Sequence, residues 1–171
     1  MDIALYPDPV LRKKAQRVTQ FDDNLRKLAD EMHTTMAKAK GVGLAAPQVG
    51  LSIQLLVLNP TGKPADAKTL VNPKLTLTKG DELGEEGCLS FPGIWGEISR
   101  APSLTVEGQD TAGNLIQLEL SGYVARIVQH EFDHLEGILF IDRLSPADKV
   151  RIRKMLKNLE LRHQERAGAK A

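Results

Sequence analysis

Apolar side chains recur along residues 22–40 at helical spacing, with Leu25, Leu28, Ala29, Met32, Met36 and Ala39 on one stripe. Asp22 or Asp23 is placed to cap that helix and Gly41 to end it. Before it, residues 1–21 hold Tyr6-Pro7-Asp8-Pro9 and a basic run, which predicts an extended arm with a turn. After it the period changes. Residues 52–58, rich in Ile, Leu and Val, predict a strand. Residues 69–78 predict another, with Asn72-Pro73 marking an edge or a bend. Residues 103–109 and 115–120 alternate apolar and polar, and the turn-forming residues 110–114 between them predict a hairpin. Helical spacing returns over residues 123–135, bracketed by Gly122 and Gly137, with Val124, Ile127 and Val128 buried. A short strand is expected over residues 138–141. A last helix is expected from Ser145 and Pro146 to about Arg166, docked through Ile152, Met155, Leu156 and Leu159. No internal repeat or second domain is visible. The expectation is one α+β domain over residues 1–171: short, mainly antiparallel strands around a central helix, with an N-terminal and a C-terminal helix.

Composition narrows the function classes. The chain has 171 residues, 42% hydrophobic and 26% charged, which suits one globular core. A net charge of +1 gives no global attraction to nucleic acid or membranes. Four Phe, one Trp and two Tyr are too few for an aromatic base-stacking platform. Cys88 is the one cysteine, so no disulfide partner is expected within the chain. The first residues carry neither a basic nor an apolar leader segment, and no stretch reaches membrane-spanning length. The expected location is the cytoplasm.

The chemistry concentrates in His130-Glu131-Phe132-Asp133-His134. Histidines four apart lie on one face of a helix, one turn above each other, and both imidazoles can reach one metal ion. Glu131 can lean over the same ion as a general base for a water. The bland alternative, two hydrogen-bonded core histidines, would bury three polar groups on an apolar helix and need a partner for each. A third ligand has to come from elsewhere, and Cys88 is the candidate. A thiolate with two imidazoles leaves a coordination position open, as catalytic sites do. A small buried hydrophobe is the common fate of a free cysteine, but Glu85-Glu86-Gly87 and Ser90 flank this one. Gly41-Val42-Gly43-Leu44-Ala45-Ala46-Pro47-Gln48 is dense in small residues that let a backbone or ligand approach. Gln48, the one polar side chain there, needs partners if buried. His33 and His163 are remote from the cluster in sequence, and His33 is read as structural or exposed.

Three motifs in this order, Gly41 to Gln48, Glu86-Gly87-Cys88-Leu89-Ser90 and His130 to His134, resemble those of the peptide deformylases, in the bacterial type 1 form. The likeness spans essentially the whole chain. It implies a metal-dependent hydrolase that removes the N-formyl group from N-formylmethionyl nascent peptides and releases formate. By that resemblance Cys88, His130 and His134 hold one divalent ion, Fe2+ natively, with Zn2+, Ni2+ or Co2+ as alternatives. Glu131 is the base, and the Gln48 amide and Leu89 N–H steady the developing oxyanion. An extended peptide pairs with Val42, Gly43 and Leu44, and the methionine side chain packs against Val42, Leu89, Ile127 and the His130 ring. An ion pair between Glu86 and Arg100 braces the Cys88 segment. The C-terminal helix concentrates Lys149, Arg151, Arg153, Lys154, Lys157, Arg162 and Arg166, and similar proteins suggest ribosome contact through it. Two rivals stand beside this reading: a zinc endopeptidase, which takes its third ligand from His or Glu, and a metal-stabilised binding module, which closes its site with a fourth protein ligand.

Overall fold

The computed structural model describes residues 1–168. Its centre is a five-stranded antiparallel sheet ordered β1 (Gly43–Ala45), β2 (Leu55–Leu58), β3 (Lys68–Leu77), β6 (Ser103–Gln109), β7 (Leu115–Ser121). Strands β4 (Glu82–Gly87) and β5 (Trp95–Arg100) form a separate two-stranded sheet. With the helices α1 (Asp23–Lys38), α2 (Gly122–Leu135) and α3 (Pro146–Gly168), this is the expected α+β fold.

Strand β2 shows why the sheet carries a helix on each face. Successive side chains of a strand point to opposite sides. Leu55 and Val57 pack with Leu25, Met32 and Met36 of α1, while Leu56 and Leu58 pack with Ala125, Ile127 and Val128 of α2. Both faces are covered, so the strand reads as a continuous apolar run. Asp22 caps α1 by accepting from the Leu25 N–H at 3.0 Å. A third cluster joins Phe91, Ile94, Ile98, Phe140 and Leu144 to Ile152 and Leu159 of α3.

Several local expectations need correcting. Residues 138–141 form no strand. Phe140–Asp142 make one 3-10 turn, closed where the Asp142 carboxylate accepts from the Leu139 N–H at 2.9 Å. A short apolar run does not by itself distinguish a strand from other buried segments. Residues 51–54 belong to a turn and an isolated bridge, so β2 starts only at Leu55. Of the two alternatives at Asn72-Pro73, the bend holds and the edge does not: the step marks a bulge in a central strand. Asn72 adopts φ 51° there, and its buried amide pairs with both backbone groups of Val18 and with Gln109. Met155 leaves the docking stripe of α3, being 38% exposed.

The N-terminal arm bears directly on the site. Ala4 N–H donates to the Gln48 carbonyl at 2.7 Å and Tyr6 N–H to the Ser90 carbonyl at 2.9 Å. One extended segment thus ties the two loops that carry Gln48 and Cys88. The two loops and helix α2 converge on a cavity of about 380 Å3 at the free edge of β1.

Candidate metal centre

Helix α2 is buried on most of its surface, and its C-terminal half carries Gln129, His130, Glu131, Asp133 and His134 into the interior. Buried polar groups of this kind persist only with partners. His130 and His134, one turn apart, present rings with centroids 5.2 Å apart. Cys88, just past β4, faces them, and its Sγ lies 3.3 Å from His134 Nε2. One ligand atom from each of Cys88, His130 and His134 lies within 4.8 Å of the others.

Two further observations fit a divalent ion here. Glu131 Oε2 is buried without a hydrogen-bond partner among the described residues, next to the ligand cluster. Burial pushes the Glu131 carboxyl up to about 7, where it can both take and return a proton near neutral pH. Burial also holds His134 well below its usual value, helped by the charges of His130 and Arg100. A neutral imidazole is the ligating form. The donor set of one soft sulfur and two imidazoles suits Fe2+, Co2+, Ni2+ or Zn2+.

The partners behind His130 are more extensive than the expected Glu86–Arg100 pair. Arg100 grips Glu86 with both Nε (2.9 Å) and Nη2 (3.0 Å). His130 Nδ1 lies 2.8 Å from Glu86 Oε2, and Arg126 Nη1 lies 3.0 Å from Glu86 Oε1. Burial opposes charge on Glu86, but the bonds from His130 and Arg100 outweigh it and hold the carboxyl down at about 2. Arg100 also reaches Asp133 at 2.6 Å, and Asp133 accepts two bonds from Arg143. Burial lowers His130, yet Cys88 and Glu86 overcome it and raise it well above its usual value. The carboxylate behind the ring fixes its orientation, which is what a ligating histidine requires. Glu86→Gln is therefore expected to weaken metal binding about 10–100-fold and to lower stability by about 3 kcal/mol, because Arg100 stays buried with one fewer counter-charge. Chelator competition and urea unfolding measure the two losses. Wild-type values in both would reduce Glu86 to a passive core residue.

Gln48 is buried, and its amide has a defined direction. Only its oxygen can accept from the Ala45 N–H, 2.8 Å away. Its Nε2 then points at Ser90 Oγ (3.3 Å) and Cys88 Sγ (3.5 Å), towards the cluster. Gly43 lies against Glu131: a Cβ there would sit 2.4 Å from Oε1. Val42, Gly43, Gln48, Leu89, Ile127, His130 and Glu131 all line the cavity. Leu44 does not, since its side chain is in the α1 cluster and only its backbone remains for a ligand. Trp95, in the stretch 94–99 that the family resemblance puts near the substrate groove, lines the cavity. Sequence reasoning missed Arg126 and Tyr123 on the cavity wall and Asp133 behind it. Asp133 gave a signal, a second carboxylate inside an apolar helix. His33 bonds Thr69 at 3.0 Å and takes no part.

The chain is similar to known proteins over most of its length. The polypeptide deformylase family model matches residues 1–150. Peptide deformylase 1B, chloroplastic, of Oryza sativa subsp. japonica is 46% identical over 98% of this chain, which spans only 64% of that protein. Peptide deformylase of Thermotoga maritima is 48% identical, covering 92% of this chain and 94% of the relative. The crystal structure of Arabidopsis thaliana peptide deformylase 1B with an inhibitor superposes with a TM-score of 0.93 at 46% identity, over 98% of this chain and 94% of that one.

Proposed function

The chain belongs to the polypeptide deformylase family, and we propose that it hydrolyses the N-formyl group from the N-terminal methionine of newly made polypeptides, releasing formate. The observation that carries this reading is the convergence of ligand atoms from Cys88, His130 and His134, beside a cavity that Cys88, His130, Glu131 and Gln48 line. These three residues would hold one divalent ion, Fe2+ natively, with Zn2+, Ni2+ or Co2+ able to replace it. The bound ion supplies Lewis acidity, which brings a water towards ionisation near neutral pH and polarises the formyl oxygen.

The rest of the chemistry falls to the chain. Glu131 Oε2, without a hydrogen-bond partner among the described residues, accepts the proton of the attacking water and later returns it to the leaving amine. Gln48 Nε2 and the Leu89 N–H donate to the oxyanion as it develops, and the Ala45 bond keeps the Gln48 amide aimed before substrate arrives. The peptide lies along the free edge of β1 at Val42, Gly43 and Leu44, adding a strand to the sheet. The methionine side chain fills the cavity against Val42, Leu89, Ile127 and the His130 ring. This reading treats residues 1–171 as one metallohydrolase domain of the cytoplasm; among the described residues no helix is long and apolar enough to cross a membrane. The test is metal analysis of anaerobically purified protein, followed by formate release from formyl-Met-Ala-Ser. Cleavage of internal peptide bonds without formate release would replace deformylation by endopeptidase activity.

Helix α3 supports a partner reading. Lys149, Arg153, Lys154 and Lys157 are exposed on it, and formylated chains exist chiefly as they leave the ribosome. We propose that α3 contacts the ribosome through phosphates. Arg151 is unsuited to the test, since it bonds Asp148 and the Trp95 carbonyl beside the cavity. Changing Arg153, Lys154 and Lys157 to Glu is expected to reduce ribosome co-sedimentation and its salt dependence while leaving formyl-peptide turnover intact. Unchanged co-sedimentation across a salt series would leave α3 as packing alone.

A further inference from the structure

The ligand set is split between two bodies. His130 and His134 belong to α2, whereas Cys88 follows β4 of the small sheet. That sheet shares no backbone ladder with the five-stranded one, so side-chain contacts help set its distance from α2. The Glu86–Arg100 bonds stay within the small sheet, while Glu86 meets His130 and Arg100 meets Asp133 on α2 at one contact each. Arg126 reaches further, to both strands of the sheet. It lies on α2 one turn before His130, and its side chain is 12% exposed. From there it donates to the carbonyls of Glu82 (2.5 Å), Gly84 (3.4 Å) and Ile98 (2.8 Å) and to Glu86 Oε1 (3.0 Å). Both strands of the small sheet are thus held by one guanidinium. Gly84 makes room for it: a Cβ there would come within 2.8 Å of Arg126 Cζ. The planar fork suits several fixed acceptors, and a lysine ammonium could not satisfy the same set.

Glu86 gives the same residue a second hold on the ligands. Its Oε1 is taken by Arg126 and Arg100 Nε, which leaves Oε2 for Arg100 Nη2 and His130 Nδ1. We propose that Arg126 is a positioning residue of the metal centre: it fixes the spacing between Cys88 and the two histidines and turns Glu86 to orient His130. The proposal rests on the metal-centre reading, and the two can fail separately.

Co2+ is the probe, because its visible spectrum reports both coordination geometry and the thiolate bond. Arg126→Met keeps the side-chain stem along the cavity wall and removes every donor. It is expected to bind Co2+ about 10–100-fold more weakly, the usual loss when an outer partner of a ligand is removed, and to show a shifted d–d and thiolate charge-transfer spectrum. Arg126→Lys, which keeps the charge beside Glu86, is expected to recover part of the affinity and is the variant to read if Arg126→Met does not fold. Wild-type Co2+ affinity and spectrum in a variant that only melts earlier would overturn the proposal and leave Arg126 as a brace of the fold. Failure of the unmodified protein to bind Co2+ would overturn the metal centre itself.

Discussion

Glu131→Ala is expected to keep its metal and to release formate about 1,000-fold more slowly, the middle of the range for loss of a positioned general base. That factor corresponds to about 4 kcal/mol of transition-state stabilisation. The separation of roles follows from the geometry. Cys88, His130 and His134 supply the three converging ligand atoms, and Glu131 is not among them. Its Oε2 is instead buried with no hydrogen-bond partner among the described residues, and Oε1 faces the backbone of Gly43, where the absence of a Cβ leaves room for the carboxylate. Burial pushes it up to about 7, so in the metal-free protein its charged form is disfavoured relative to the unfolded chain. Above its unfolded value Glu131 therefore subtracts from stability, increasingly so up to about pH 7. A group held at such a disadvantage is retained for what it does. The measurement is metal content alongside formate release, with Glu131→Gln as the shape-preserving control. Near-normal release from the metal-loaded alanine variant would remove Glu131 as the base.

The parts of this site that were legible in the sequence are those whose chemistry and periodicity coincide. The α2 ligand pair could be read because helix geometry converts a spacing of four into one face, and its flanks alternate as a buried helix should. The hairpin of β6 and β7 announced itself through alternation and a Gly-Asn turn. Strands β4 and β5 did not, and the reason is physical. Their inward positions are Gly84, Glu86, Gly96, Ile98 and Arg100, filled mostly by glycine and charge. A sheet that buries an ion network in place of an apolar face gives no hydrophobic period to read. Arg126 was hidden for the same reason. On sequence alone it is one more cation on a helix, and only the folding of β4 and β5 against it makes its four acceptors visible. Asn72 shows the converse, since a proline step that reads as either an edge or a bend is resolved as a bulge by a buried amide that satisfies the backbone groups of Val18.

Cys88→Ser is expected to lose metal and proposed turnover together, with affinity falling by more than the roughly 100-fold upper range that outer partners are worth. The sulfur is the one soft donor of the three, and a serine hydroxyl is a far poorer ligand for Fe2+, Co2+, Ni2+ or Zn2+. The two remaining imidazoles sit one turn apart on a single helix, and among the described residues the candidate ligand group holds no fourth His, Cys, Asp or Glu that would replace the sulfur. The substitution should leave the surrounding fold in place. Gln48 Nε2, 3.5 Å from Sγ, can donate to an oxygen as readily as to sulfur, and its bonds to Ala45 and Ser90 do not involve Cys88. The backbone after Cys88 is held separately, through the Cys88 carbonyl to Phe91 N–H at 2.9 Å and Tyr6 N–H to the Ser90 carbonyl. Unfolding of the metal-free variant should therefore shift little, while metal per chain after gel filtration falls towards zero. A cysteine that merely packed beside the Phe91 and Phe140 cluster would give the opposite pattern. Its replacement would lower stability by about 1 kcal/mol and leave one ion per chain and a full rate of formate release. That outcome would take Cys88 out of the ligand set and leave the two histidines to find their third donor elsewhere.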